Sequence, residues 1–199
     1  MHISFKQAAL ALAIAAAGTA QAAPATYEIE NAHTFPKFEV SHNGFSFHTG
    51  MFTKTAGKIV LDLEARTGSM DITVDTSAIS TGIAPMEKFL VTKEFFNVEQ
   101  FPTMSYRSTA VRAEGDHFVV DGELSLHGVT KPVSLHLEVN GYLPQSPFGD
   151  TRVGFSASAE IDRREFDLHY NAPVEGGGVV LGHKVQIALE VEAIKRADA

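Results

Sequence analysis

The chain has no cysteine and no tryptophan. Without thiols there is no disulfide, no thiolate nucleophile and no cysteine metal site, so stability must come from burial and from the backbone hydrogen-bond ladder. Long apolar runs are missing too. The apolar stretch at residues 8–17 falls far short of the roughly 20 residues needed to cross a bilayer, which argues against a membrane anchor there. Basic residues are few: 16 Lys and Arg stand against 24 Asp and Glu, a net charge of −8. An acidic chain without a basic cluster is a poor partner for nucleic acid or for an anionic membrane surface.

Catalytic and metal-binding signatures are absent as well. No His-x-His and no His-Glu-x-x-His occurs, and His33, His42, His48, His117, His127, His136, His169 and His183 are scattered. Gly44-Phe45-Ser46-Phe47-His48 and Gly154-Phe155-Ser156-Ala157-Ser158 both lack the last glycine of a serine nucleophile elbow. There is no Gly-x4-Gly-Lys-Ser/Thr phosphate loop, and Gly176-Gly177-Gly178 reads as a flexible hairpin. The expectation is a non-enzyme with no metal. Arg163 and Arg164, beside Glu165 and Asp167, read as surface ion pairs.

What is present begins with a leader. Lys6, the apolar run and Ala20-Gln21-Ala22 have the order of a secretory signal peptide, so residues 1–22 are expected to be cleaved after Ala22 and the mature domain, 23–199, to be periplasmic in a two-membrane host. The mature chain is then 177 residues long, a size that suits one barrel or sandwich with a sizeable core. It carries no composition break. Strict alternation recurs along it: Ile59, Leu61 and Leu63; Met70, Ile72 and Val74; Phe118, Val120, Leu124 and Leu126; Val133, Leu135, Leu137 and Val139; Phe155, Ala157, Ala159 and Ile161; Val185, Ile187, Leu189 and Val191. Successive side chains of a strand point to opposite faces, so each segment has one dry side. Closing the sheet into a barrel hides that side and removes the edge strands; a sandwich hides it by facing two sheets. In the first case a small barrel keeps room for one ligand.

Two segments break the alternation with helical character. Pro85 to Val91 places Met86, Phe89 and Leu90 on one face, and Asp162 with Glu165 three residues on resembles a capping box. Each is read as a core plug or as a lid over a ligand. His127 and His136 fall on the wet phase of their strands, while His33 and His42 are expected as hydrogen-bonding anchors of the first strand.

Taken in order, the motifs resemble the YceI-like family of exported, lipocalin-like, polyisoprenoid-binding proteins. The resemblance runs from Ala32-His33-Thr34 through His42-Asn43-Gly44, Ser46, Gly50, Phe52, residues 57–62, residues 79–82, Phe95-Phe96, Phe101-Pro102 and Ser108-Thr109. It is strongest at residues 122–135, GELSLHGVTKPVSL, and ends with Gly154-Phe155 and residues 161–166. It implies an all-β fold, an antiparallel eight-stranded lipocalin-like barrel with one or two short helices, and an elongated apolar pocket for a long isoprenoid or other lipid chain. Met86 to Val91 and Asp167 depart from the family pattern: apolar residues replace polar and cationic ones in the short helix, which favours a neutral head group over a pyrophosphate.

Burial of the chain would dominate binding, at about 0.8 kcal/mol per methylene against about 0.5–1.5 kcal/mol for one neutral hydrogen bond. The expected lining is Phe38, Val40, Phe52, Met86, Phe89, Leu90, Phe95, Met104, Tyr106, Phe155 and Phe166. The function expected is transport or storage of an isoprenoid-type lipid, a quinone or polyprenyl, with no cofactor beyond that ligand and no membrane insertion after leader cleavage. An enzyme of lipid turnover using the same pocket and a solid interaction module are the other readings, and a homodimer is left open.

Overall fold

The computed structural model describes residues 24–62, 64–175 and 178–195. The leader, Leu63 and Gly176-Gly177 lie outside the described residues. Among the described residues no helix is long and apolar enough to cross a membrane.

Among the described residues eleven strands occupy eight positions of one antiparallel barrel. The first position is split into β1 (Ala25–Ile29) and β2 (Phe35–His42), the second into β3 (Ser46–Phe52) and β4 (Thr55–Asp62), and the third into β5 (Thr67–Asp75) and β6 (Ile79–Ser80). The other five are continuous: β7 (Thr103–Glu114), β8 (His117–Leu126), β9 (Val129–Leu143), β10 (Thr151–Asp162) and β11 (Leu181–Lys195). The ring closes on β11. It pairs with β10 along one edge, and on the other with β1 through Tyr27↔Lys195 and with β2 through Val40↔Val185. Each neighbour pair is antiparallel, and closure leaves the dry faces of all eight positions inside.

Alternation becomes burial directly. On β10 Val153, Phe155, Ala157, Ala159 and Ile161 are buried, with polar or less buried residues between them. The β8–β9 hairpin turns in two residues, His127 and Gly128, both at positive φ, the type I′ geometry that matches strand twist. That turn corrects the expectation for His127. The strand ends before it, so the half-buried ring packs on Phe101 with centroids 4.6 Å apart, and both ring nitrogens are buried without a hydrogen-bond partner. His136 does face outward.

Inside the wall, Tyr106 lies flat over Gly122 and its hydroxyl donates to the carbonyl oxygens of Val120 (2.8 Å) and Val133 (3.0 Å). A Cβ on Gly122 would sit 2.5 Å from the Tyr106 ring and 2.6 Å from the Arg107 carbonyl oxygen. Gly122→Ala should therefore destabilise the barrel by about 1–3 kcal/mol, read as a lower urea midpoint at unchanged slope.

The two helical segments cover one end of the barrel. α1 (Ala84–Leu90) starts at a proline in its first turn and follows β6; Leu90 and, beyond it, Phe96 pack with Phe52, Val74 and Ile79. Residues Arg163–Phe166 form a 3-10 turn whose cap is Asp162, which accepts from the backbone N–H of Arg164 at 3.0 Å. The capping box is closed differently from the sequence expectation: the second arm is Arg164, whose Nη2 donates to Asp162 at 2.6 Å, rather than Glu165. Those bonds from Arg164 hold the Asp162 carboxyl well below the usual carboxylate range, against the opposing effect of burial. A carboxyl depressed on folding stabilises the fold above its unfolded pKa, near 3.9, and loses that contribution as pH falls. Asp162→Ala should cost about 1 kcal/mol at pH 7, and the gap between variant and wild type in urea unfolding should narrow below about pH 4.

Candidate functional site

The inward faces do not meet in the middle. They enclose a cavity of about 410 Å³, within the range of small-molecule sites. β11 alone lines it at Leu181, Val185, Ile187, Leu189 and Val191. That reach of ten residues corresponds to about 33 Å of strand, so the hollow is long and narrow. Its deeper half is walled by Ile59, Met70, Leu135, Leu137, Phe155 and Ala157.

Ten of the eleven residues singled out from the sequence surround this one space. Phe38 and Val40 enter from β2, Phe52 from β3, Met86, Phe89 and Leu90 from α1, Phe95 from the following loop, Met104 and Tyr106 from β7, and Phe155 from β10. Phe166 does not. Its ring is only 1% exposed and belongs to the packed cluster with Leu90, Leu126, Ile161 and Leu168. Arg163 keeps the next inward place after Ile161, and the 3-10 turn that it begins breaks the phase and folds Phe166 into the packed cluster.

The surface ion-pair expectation for the arginines holds for Arg164 alone. Arg163 is 2% exposed and lines the cavity. The remaining wall residues, such as Ile72, Leu124, Val133 and Leu189, carried their signal in the alternation, whereas His42, His48 and Tyr170 had no local mark of facing inward. His42 and His48 stack edge to face at 4.3 Å, with Asn43 within hydrogen-bond distance of His42 at 3.2 Å. They stand at the end of the cavity where His42 pairs with Leu181. Phe89, Phe95 and Tyr170 gather at the same end, with Phe89 and Tyr170 rings 4.8 Å apart. Nearby on the β2–β3 hairpin, Phe45 is 83% exposed, and the backbone N–H of Asn43 donates to the Val180 carbonyl. This end is the mouth.

The titratable groups lining the hollow are Lys37, His42, His48, Tyr106, Arg163 and Tyr170. Burial pushes the Tyr106 hydroxyl far up from its ordinary pKa, with the Asp121 charge adding to it, and both backbone acceptors hold it as a donor. It is therefore neither a base nor a nucleophile at neutral pH. Outside the barrel, Glu30, His33 and Glu192 place three donor atoms within 4.8 Å of one another. His33 bonds to Glu30 as an anchor of the first strand, but Arg152 already donates to Glu192 at 3.0 Å and to Asp150 at 2.9 Å. A cation thus balances the carboxylates, and the group is an ion-pair network.

A hollow antiparallel barrel with an aromatic mouth and this order of motifs has counterparts among known proteins. The YceI-like domain matches residues 27–193. The chain belongs to the YceI-like family. Protein YceI of Salmonella arizonae is 34% identical over 152 residues, covering 76% of this chain and 79% of that protein. Protein YceI of Salmonella paratyphi B matches to the same extent. In fold, this YceI-like chain is similar to the crystal structure of BcnA from Burkholderia cenocepacia, with TM-score 0.70 and 19% identity, covering 82% of this chain and 98% of that one. It is also similar to a polyisoprenoid binding domain from Saccharophagus degradans implicated in plant cell wall breakdown, with TM-score 0.61 and 14% identity, covering 85% and 98%. The eight-stranded closed barrel expected from the family pattern is the fold observed.

Proposed function

We propose that this YceI-like protein is an exported, periplasmic carrier that holds a long-chain isoprenoid-type lipid, a quinone or a polyprenyl, for transport or storage without acting on it chemically. The single observation behind this reading is the long apolar cavity of about 410 Å³ inside the barrel. Ten buried carbons would contribute roughly 8 kcal/mol before the cost of ordering chain and protein is subtracted. The polyisoprenoid-binding domain among the structural relatives supports a hydrophobic ligand of this class.

A turnover enzyme would need a base or nucleophile poised beside the buried chain; the Tyr106 hydroxyl is pushed up and held as a donor, while His42 and His48 stand at the mouth, beside Leu181 and away from the deeper hollow. A solid interaction module would have no hollow at all. The test is organic extraction of protein purified from its native compartment, followed by mass spectrometry. A long-chain prenyl lipid is expected at close to one per protein; repeated absence of any long-chain lipid overturns the proposal.

A further inference from the structure

The buried face of β10 runs Val153, Phe155, Ala157, Ala159, Ile161, and the next residue in that phase is Arg163. An apolar stripe pointing into a lipid-sized hollow thus ends in a cation. Arg163 is 2% exposed and lines the cavity. Its Nε donates to the carbonyl of Gly182 at 2.8 Å, Nη2 to that of Leu181 at 3.2 Å, and Nη1 to that of Leu168. A guanidinium has five N–H donors; three are used on backbone carbonyls, which leaves two.

No carboxylate among the described residues is within ion-pair distance of it. Asp162 is committed to Arg164 (2.6 Å), Asp167 to His169 (3.0 Å) and Glu160 to Lys184 (3.0 Å). Buried charges are normally paired, because taking an ion out of water is costly. Carbonyl dipoles offset part of that cost but supply no counter-charge. Burial accordingly pulls the Arg163 guanidinium below its ordinary pKa, with Asp162 only partly opposing this.

We infer that Arg163 is a head-group anchor, and that the ligand completing it is an apolar chain ending in an acidic oxygen group, a phosphate monoester or a carboxylate. This rests on the lipid-binding reading and narrows it. The guanidinium fork suits two oxygens of one anion. Its position fits: Leu181, whose carbonyl it holds, pairs with His42 at the mouth, while the cavity beyond is apolar. The chain goes in first and the acid stays at the entrance. The apolar residues of α1, which on their own favour a neutral head, pack beside the turn that carries this cation, Leu90 in one cluster with Phe166 and Phe89 on Tyr170, and supply no counter-charge.

The test compares three ligands of one tail on delipidated full-length protein: farnesol, farnesyl phosphate and farnesoate. Wild type should bind at least one of the two acids about tenfold or more tightly than farnesol, and which acid it prefers separates phosphate from carboxylate. In Arg163→Gln that acid-to-alcohol ratio should fall close to one. Should that variant fail to fold, Arg163→Lys keeps the cation without the fork, and the ratio should fall to an intermediate value. A wild type that does not distinguish acid from alcohol, or a ratio unchanged in the folded variant, overturns the assignment. If none of the three ligands binds wild type, the lipid-binding reading itself fails and takes this inference with it.

Discussion

Ala157→Trp should leave a folded barrel that has lost most of its affinity for long-chain lipids. Ala157 is buried on β10 between Leu137 of β9 and Leu189 of β11, in the deeper half of the cavity. An indole projecting from that point displaces on the order of three or four methylenes of any chain threaded past it, worth about 2.4–3.2 kcal/mol. That corresponds to about 50- to 200-fold weaker binding, read by titration of delipidated protein with a fluorescent prenyl probe. The same substitution fills empty space, so the ligand-free protein should melt at the same temperature as wild type or above it. Weaker binding together with undiminished stability separates a blocked cavity from a damaged fold. Unchanged affinity would place the ligand outside the hollow.

The second large effect distinguishes wall from core. Phe166→Ala should cost about 3–5 kcal/mol in unfolding free energy, since the ring is fully enclosed by Leu90, Phe96, Leu126, Ile161 and Leu168. Phe38→Ala should cost less, about 1–2 kcal/mol, because the Phe38 ring faces the cavity on one side and has no packing there to lose. Binding should respond in the opposite order. Chemical unfolding and lipid titration on the two variants check both rankings; equal stability costs would mean that the hollow closes when no lipid is present.

These two phenylalanines also mark where the sequence was legible. Phe38 sits in an alternating run, and period-two alternation converts into an inward direction without tertiary information. The same holds for the whole dry face of β10. Phe166 closes a 3-10 turn capped by Asp162, and that turn breaks the odd-numbered inward phase of β10 and folds the ring into the packed cluster rather than toward the cavity. Arg163 could have been found by extending the β10 alternation by one step, but its charge argued locally for the surface.

The splitting of the first barrel strands was beyond local reading. Asn31 Oδ1 accepts from the backbone N–H of Thr55 at 2.6 Å while its Nδ2 donates to the carbonyl of Thr53 at 3.3 Å. One side chain thus interrupts two neighbouring strands across more than 20 residues of sequence. The burial of His127 depended likewise on Phe101, a contact made through a loop.

The central claim is that length of buried chain sets affinity, and a homologous prenol series measures it. Geraniol, farnesol and geranylgeraniol differ by one five-carbon unit each, which at about 0.8 kcal/mol per methylene allows up to about 4 kcal/mol per step if every carbon is buried. Isothermal titration of the delipidated protein should show affinity rising by about tenfold or more per unit until the hollow is full, with an increasingly negative heat-capacity change. Affinity that does not depend on chain length would contradict the account.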